Sequence, residues 1–237
     1  MDHEQKRLAR LAGLLYVVMG LPGAFFLQVV PRLLVVRGDA AATAEHMLSS
    51  EPLFRIGLAA ELVSNLVFIL TPLVLYQLFK PVDGRKAALM VIFVLVSIPI
   101  SLVIVVFETA AYTVLTGPDY LSVFTSGQRE ALALLLVGLH SRALDIAAIF
   151  WGLWLVPLGL LVYESGFAPR VIGGLLVIAG AAYVLAAFTA LLVPQYGSVV
   201  ANLAAFPEGL GEISFVIWLF AGRTRAMTVT SPAVAPS

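Results

Sequence analysis

The sequence predicts an all-α polytopic integral membrane protein: a bundle of six transmembrane helices with short helical segments on its outer side. Three observations predict it. The 237-residue chain is 61% hydrophobic and only 12% charged, whereas soluble domains average about 45–50% apolar and about 25% charged residues. Its mean hydropathy is +1.01, so too few polar side chains remain to cover a soluble fold of this size. Six separate runs reach the roughly 20 mostly apolar residues that cross a bilayer core. Residues 1–225 read as one six-helix domain. Residues 226–237, rich in Thr, Ser, Pro and Ala, read as a disordered cytoplasmic tail.

Lys6, Arg7 and Arg10 precede the first run. The apolar core of a signal peptide is about 7–15 residues long and ends at a small-residue cleavage site. The run from Leu11 to Val30 is longer and lacks such a site, so it reads as a retained span over about 10–31. Asp39, after Gly38, is placed to cap a short helix reaching about Ser49. Spans two and three occupy about 55–79 and 86–115, and Thr116-Gly117-Pro118-Asp119 is a turn signal. Gln128–Leu139 is Leu-rich but too short to span. Joined to span four, at about 142–163, it would make a helix of about 54 Å against a core of about 30 Å. The piece must bend near Gly138–Ser141, lie in the interface, or stand above the membrane. Spans five and six cover about 170–193 and 199–221. Pro22, Pro72, Pro99, Pro157 and Pro207 sit inside five of the six spans, where each removes a backbone hydrogen bond and bends its helix. Span five has none; its Gly173, Gly180 and Ala187 recur every seven residues as a stripe suited to close helix packing.

Basic residues in short loops orient membrane proteins. With the N-terminus inside, Lys6, Arg7, Arg10, Lys80, Arg85, Lys86, Arg170, Arg223 and Arg225 lie on the inner side. Arg32, Arg37, Arg55, Arg129 and Arg142 lie outside, nine against five. Both termini are therefore expected in the cytoplasm, with the chain in the cell membrane. Basic and acidic residues number 14 each, which leaves no basic excess to attract nucleic acid. The absence of cysteine excludes disulfides, thiolate nucleophiles and zinc–thiolate sites. The chain also carries no phosphate-binding loop, no serine nucleophile elbow, no zinc-protease helix and no dinucleotide fingerprint.

The informative charges are those at membrane depth. Span two carries Arg55, Glu61 and Asn65; span three carries Glu108; the start of span four carries His140, Arg142 and Asp145; span six carries Glu208 and Glu212. Charge at the bilayer centre costs at least about 2.5–3.5 kcal/mol, so these side chains must face one another, a cation, or water. Glu61 and Asn65 share a helix face, as do Glu208 and Glu212, and Arg142 can pair with Asp145. A helix broken at Pro207 would leave Glu208 at a fresh N-terminus, favourable for its charge. Five carboxylates against two arginines leave three uncompensated negative charges. Protons, a bound cation or entering water must answer them. A divalent metal is the one cofactor these residue types suggest, on His140, Asp145, Glu61 and Glu212, since imidazole with carboxylates suits several first-row ions.

Several stretches together resemble a known family: Leu11-Ala12-Gly13-Leu14-Leu15-Tyr16, Gly38-Asp39-Ala40-Ala41-Ala42-Thr43-Ala44, Leu53-Phe54-Arg55-Ile56-Gly57, His140 followed by Asp145, Ser165-Gly166-Phe167-Ala168-Pro169-Arg170, and Gly211-Glu212. In this order and spacing, from about Ala9 to Phe220, the chain resembles the bacterial six-span membrane proteins grouped as domain-of-unknown-function family 4386. The resemblance implies the six-span fold and no activity. Glu108 and Glu208 fall outside the motifs that carry it. The leading functional expectation is a binding or sensing module, with a carboxylate-rich cavity open to the outer side for a small amphipathic or lipid ligand. An intramembrane enzyme using a metal or a protonated carboxylic acid on a lipid-like substrate comes next, and a proton- or cation-coupled transporter third.

Overall fold

The computed structural model describes residues 2–221; the expected tail at 226–237, with Arg223 and Arg225, lies outside the described residues. Among the described residues there is no strand, and six helical stretches are long and apolar enough to cross a membrane. The first comprises helix α1 (His3–Ala24), a π-helical turn (Phe25–Val29) and α2 (Val30–Leu34). Asp2 and Gln5 cap α1 reciprocally, each side chain accepting from the other's backbone N–H at 2.7 and 3.1 Å. The widened turn begins three residues after Pro22, so the helical hydrogen-bond register changes inside the span, as π-bulges do.

Helix α3 (Ala40–Ser49) follows as expected, with Asp39 accepting from the Ala42 N–H at 2.9 Å. Its Ala44 and Met47 are buried with Val30, Leu34, Phe54, Ala111, Leu115 and Ala133, so α3 closes one end of the bundle. Helices α4 (Glu51–Phe79) and α5 (Gly84–Thr116) are the next two spans. Asp83 caps α5 through the Arg85 and Lys86 N–H groups at 2.9 and 3.1 Å. The Lys86 backbone N–H, then its ammonium, hold the Asp83 carboxyl below the usual range, so this cap is lost only as pH falls through that lowered value. Gly117, at φ +62°, ends α5 in the left-handed conformation that glycine adopts freely.

Helix α6 (Ser126–Glu164) settles the fate of the Leu-rich piece: one continuous 39-residue helix runs through Gly138 and Ser141. At about 1.5 Å per residue it is about 58 Å long, so its first turns project past the apolar core and pack on α3 and the end of α5. Helices α7 (Arg170–Leu192) and α8 (Pro194–Ala221) complete the bundle. Helix α8 also passes unbroken through Pro207, so Glu208 lies mid-helix and gains no N-terminal dipole.

Each span packs on the next, α4 packs on α1, and α8 returns to α1, so the six close a ring. The tightest contacts join α6 and α7. A Cβ on Gly180 would lie 2.6 Å from the Gly152 carbonyl oxygen, and one on Gly173 would lie 2.5 Å from that of Gly159. The expected stripe on span five therefore meets a matching glycine pair on span four, seven residues apart on each helix. Between helices in lipid, such close backbone approach replaces the hydrophobic drive that water would supply. Gly180→Val should lower the melting temperature sharply, at or beyond the upper end of the roughly 1–3 kcal/mol of ordinary overpacking, because a backbone oxygen cannot yield. Gly174→Ala, where a Cβ meets nothing within 4 Å, should leave it unchanged or slightly raised; thermal unfolding followed by size-exclusion chromatography checks both.

Candidate functional site

Glu61 and Asn65, one turn apart on α4, are 4% and 8% exposed. Both line a cavity of about 250 Å³ inside the ring. All six spans contribute to its wall. The first supplies Met19, Gly20, Gly23, Ala24, Phe26, Leu27 and Gln28, α5 supplies Ser101 and Ile104, α6 supplies Leu144, Trp151 and Trp154, α7 supplies Tyr183, and α8 supplies Glu212. The Tyr16 hydroxyl donates to Glu212 Oε2 at 2.6 Å, and the Tyr183 hydroxyl donates to Oε1 at 3.0 Å. One carboxylate thus binds α1 and α7 to α8, with both oxygens engaged.

The far wall is left unsatisfied. Glu61 Oε2, Ser101 Oγ and Trp151 Nε1 are buried and have no hydrogen-bond partner, although buried polar groups in proteins are nearly always paired. Asn65 and Gln28 add amides, and no Lys, Arg or His is among the lining residues. The cavity therefore offers acceptors and donors together with aromatic surface, and two carboxyl groups with no cationic side chain beside them.

A second cavity, of about 820 Å³, lies toward the α3 end, lined by Arg32, Arg37, Glu108 and His140 together with apolar residues of the first span and α6. His140 Nδ1 lies 3.1 Å from Glu108 Oε1, yet the two are not aligned as a hydrogen bond. Leu27, Gln28 and Leu144 line both cavities, so the π-helical turn forms part of the wall between them.

The predicted residues thus divide. Glu61, Asn65 and Glu212 meet in the inner cavity; Glu108 and His140 meet in the outer one. Asp145 lies 3.6 Å from Arg142, whose guanidinium donates to the Ala190 carbonyl at 2.8 Å and ties α6 to the end of α7. Arg55 pairs at 2.6 Å with Glu51 on the exposed surface of α4 and lines neither cavity. Arg55 therefore does not offset Glu61. Glu208, one turn before Glu212 on α8, is partly buried and lines neither cavity. His140, Asp145, Glu61 and Glu212 do not converge, and among the described residues no group of three or more His, Asp or Glu side chains is arranged to hold a metal ion.

Sequence reasoning missed Tyr16 and Tyr183 as functional partners, and Trp151 with them. Their signal was depth. Membrane tyrosines favour the headgroup level, where the ring is apolar and the tip is wet, and these two lie well inside their spans. A tyrosine far from both edges needs an internal acceptor, and Glu212 is that acceptor. Tyr16→Phe should cost about 1–3 kcal/mol, the penalty for leaving a buried polar group unpaired. Pairing it with Glu212→Gln should give a coupling of about 0.5–3 kcal/mol in a double-mutant cycle, read from melting temperatures.

Comparison with known proteins agrees with this architecture and adds no activity. An uncharacterized protein of Archaeoglobus fulgidus is 29% identical over 159 residues, covering 67% of this chain and 78% of that protein. No solved structure matches. The family model described as a domain of unknown function, DUF4386, matches residues 11–222, a range that starts in the third turn of α1 and takes in all the other helices, and the chain belongs to this family of multi-pass membrane proteins.

Proposed function

We propose that the protein is a ligand-binding or sensing module of the cell membrane, and that its ligand is a small amphipathic or lipid-like molecule held in the inner cavity. The observation that carries this reading is that three residues lining one cavity, Glu61, Ser101 and Trp151, each carry a buried polar atom with no hydrogen-bond partner. Leaving such groups unpaired costs stability, and a bound molecule supplies the missing partners. The reading is favoured over a transport path by what lies on the other side. Phe79, Phe167, Trp218 and Phe215 stack in series with centroids about 5.7–6.1 Å apart, and Phe215 and Trp154 both pack on Tyr16. This half of the ring is filled with buried aromatic and aliphatic side chains.

The orientation that suits a sensor places α3 and the Arg-lined cavity outside, with both termini in the cytoplasm. Nine of the 14 basic residues then lie inside. The Lys86–Glu164 ion pair, at 2.6 Å, ties α5 to α6 at that inner edge.

Melting-temperature screening of purified protein against small amphipathic compounds tests the binding reading. A true ligand at 100 times its Kd adds about 2.7 kcal/mol of stability. That shift should vanish in Glu61→Gln and persist in Glu208→Gln. A screen in which no compound stabilises the wild type selectively removes the support for a binding module. Orientation is tested by single cysteines in this cysteine-free chain. In intact cells an impermeant maleimide should label Ser49→Cys and spare Ser165→Cys, and the reverse pattern inverts the topology.

A further inference from the structure

Resting on that binding reading, we infer that the inner cavity takes a small organic cation, a protonated or quaternary amine bearing a hydroxyl group. Charge is the first argument. Glu61 and Glu212 both line the cavity, and no cationic side chain does. Glu212 has a tyrosine hydroxyl on each oxygen, but Glu61 Oε2 has no partner in a side chain only 4% exposed. Arg55, the cation nearest in sequence to Glu61, is held by Glu51 at the surface. Of the three answers open to such an acid, a proton, water or a cation, only a bound cation supplies Glu61 with both a partner and a counter-charge, and an anionic ligand would meet like charge.

The wall chemistry narrows the class. Phe68, Trp151, Trp154 and Tyr183 contribute aromatic rings to the lining, and aromatic faces attract ammonium groups most strongly where water is excluded. Hard metal ions require six or more oxygen ligands, and among the described residues no group of three or more acidic or His side chains is arranged to hold one. Trp151 Nε1 can only donate a hydrogen bond. Unpartnered as it is, together with Ser101 Oγ, it calls for an acceptor on the ligand, which a hydroxyl oxygen provides. A volume of about 250 Å³ falls just below the roughly 300–1,000 Å³ of pockets for drug-sized ligands, and suits a compact head with few carbons.

The test uses the full chain in nanodiscs and titration calorimetry with two charge-differing pairs of matched shape: choline against 3,3-dimethylbutan-1-ol, and ethanolamine against propan-1-ol. At least one cation should bind about tenfold or more tightly than its neutral partner. Glu61→Gln should reduce that cation to the affinity of the neutral isostere while leaving the isostere unaffected, and Trp151→Phe should weaken the cation. Should Glu61→Gln fail to stay monodisperse, the wild-type pairs decide alone. Isosteres that bind as well as both cations, or hexanoate binding better than either, overturn the cation assignment and leave a binding cavity standing. A wild type stabilised by none of these and by no other amphipathic compound overturns both readings.

Discussion

The grip of Tyr16 and Tyr183 on Glu212 is the interaction on which the arrangement of the bundle depends. In lipid, helices gain nothing from hiding apolar surface from one another, because the surrounding tails are equally apolar. Association must come from close packing and from polar groups that have nowhere else to go. The glycine pairs join α6 to α7, but they do not close the ring. The last span is fastened to the first by a carboxylate that accepts from two hydroxyls on two different helices. The aromatic series around Tyr16, Trp154, Phe215 and Trp218 packs against this clamp, and the cavity is the space left on its other side. One satisfied carboxylate therefore holds the wall in which the unsatisfied one, Glu61, is set.

The two acids also divide the polar chemistry of the interior by role. Glu212 has a tyrosine hydroxyl on each oxygen and works as a fastener. Glu61 has an oxygen with no partner. Glu108 of α5 and His140 of α6 form a separate unit in the larger cavity, which Arg32 and Arg37 also line. The charge excess counted along the chain is thus distributed over two spaces that share the wall residues Leu27, Gln28 and Leu144.

The fold was largely legible in the sequence, because the bilayer imposes a length and a composition that few other environments demand. Asp39 and Gly117 announced the α3 cap and the end of α5 through local chemistry, and both appear as read. The Gly173 and Gly180 stripe announced a close contact, though not that Gly159 and Gly152 would answer it. The site was legible only in part. Glu61 with Asn65 could be placed together by helical spacing, which is a local property. Glu208 and Glu212 have the same spacing, yet only one lines the cavity, since which side of α8 turns inward is decided by packing across the ring. Arg55 illustrates the same limit, as its partner Glu51 on the preceding turn competes for it more effectively than any acid inside. Tyr16 and Glu212 are separated by 196 positions, and no periodicity within one helix can report such a pairing.

Helix α6 carries a mechanical consequence. It is unbroken from Ser126 to Glu164. Its first turns rest on α3, its middle presents Leu144 and Trp151 to the cavities, and its last residue holds Lys86. Pro157, between the cavity wall and the Lys86 end, removes one backbone hydrogen bond, so the stretch from Ser126 to that point is the stiffer part of the rod. The segment that leans on α3 therefore shares its axis with the segment that presents Leu144 and Trp151 to the cavities. The glycine contacts with α7 at Gly152 and Gly159 bracket Pro157 and brace the helix where it is weakest.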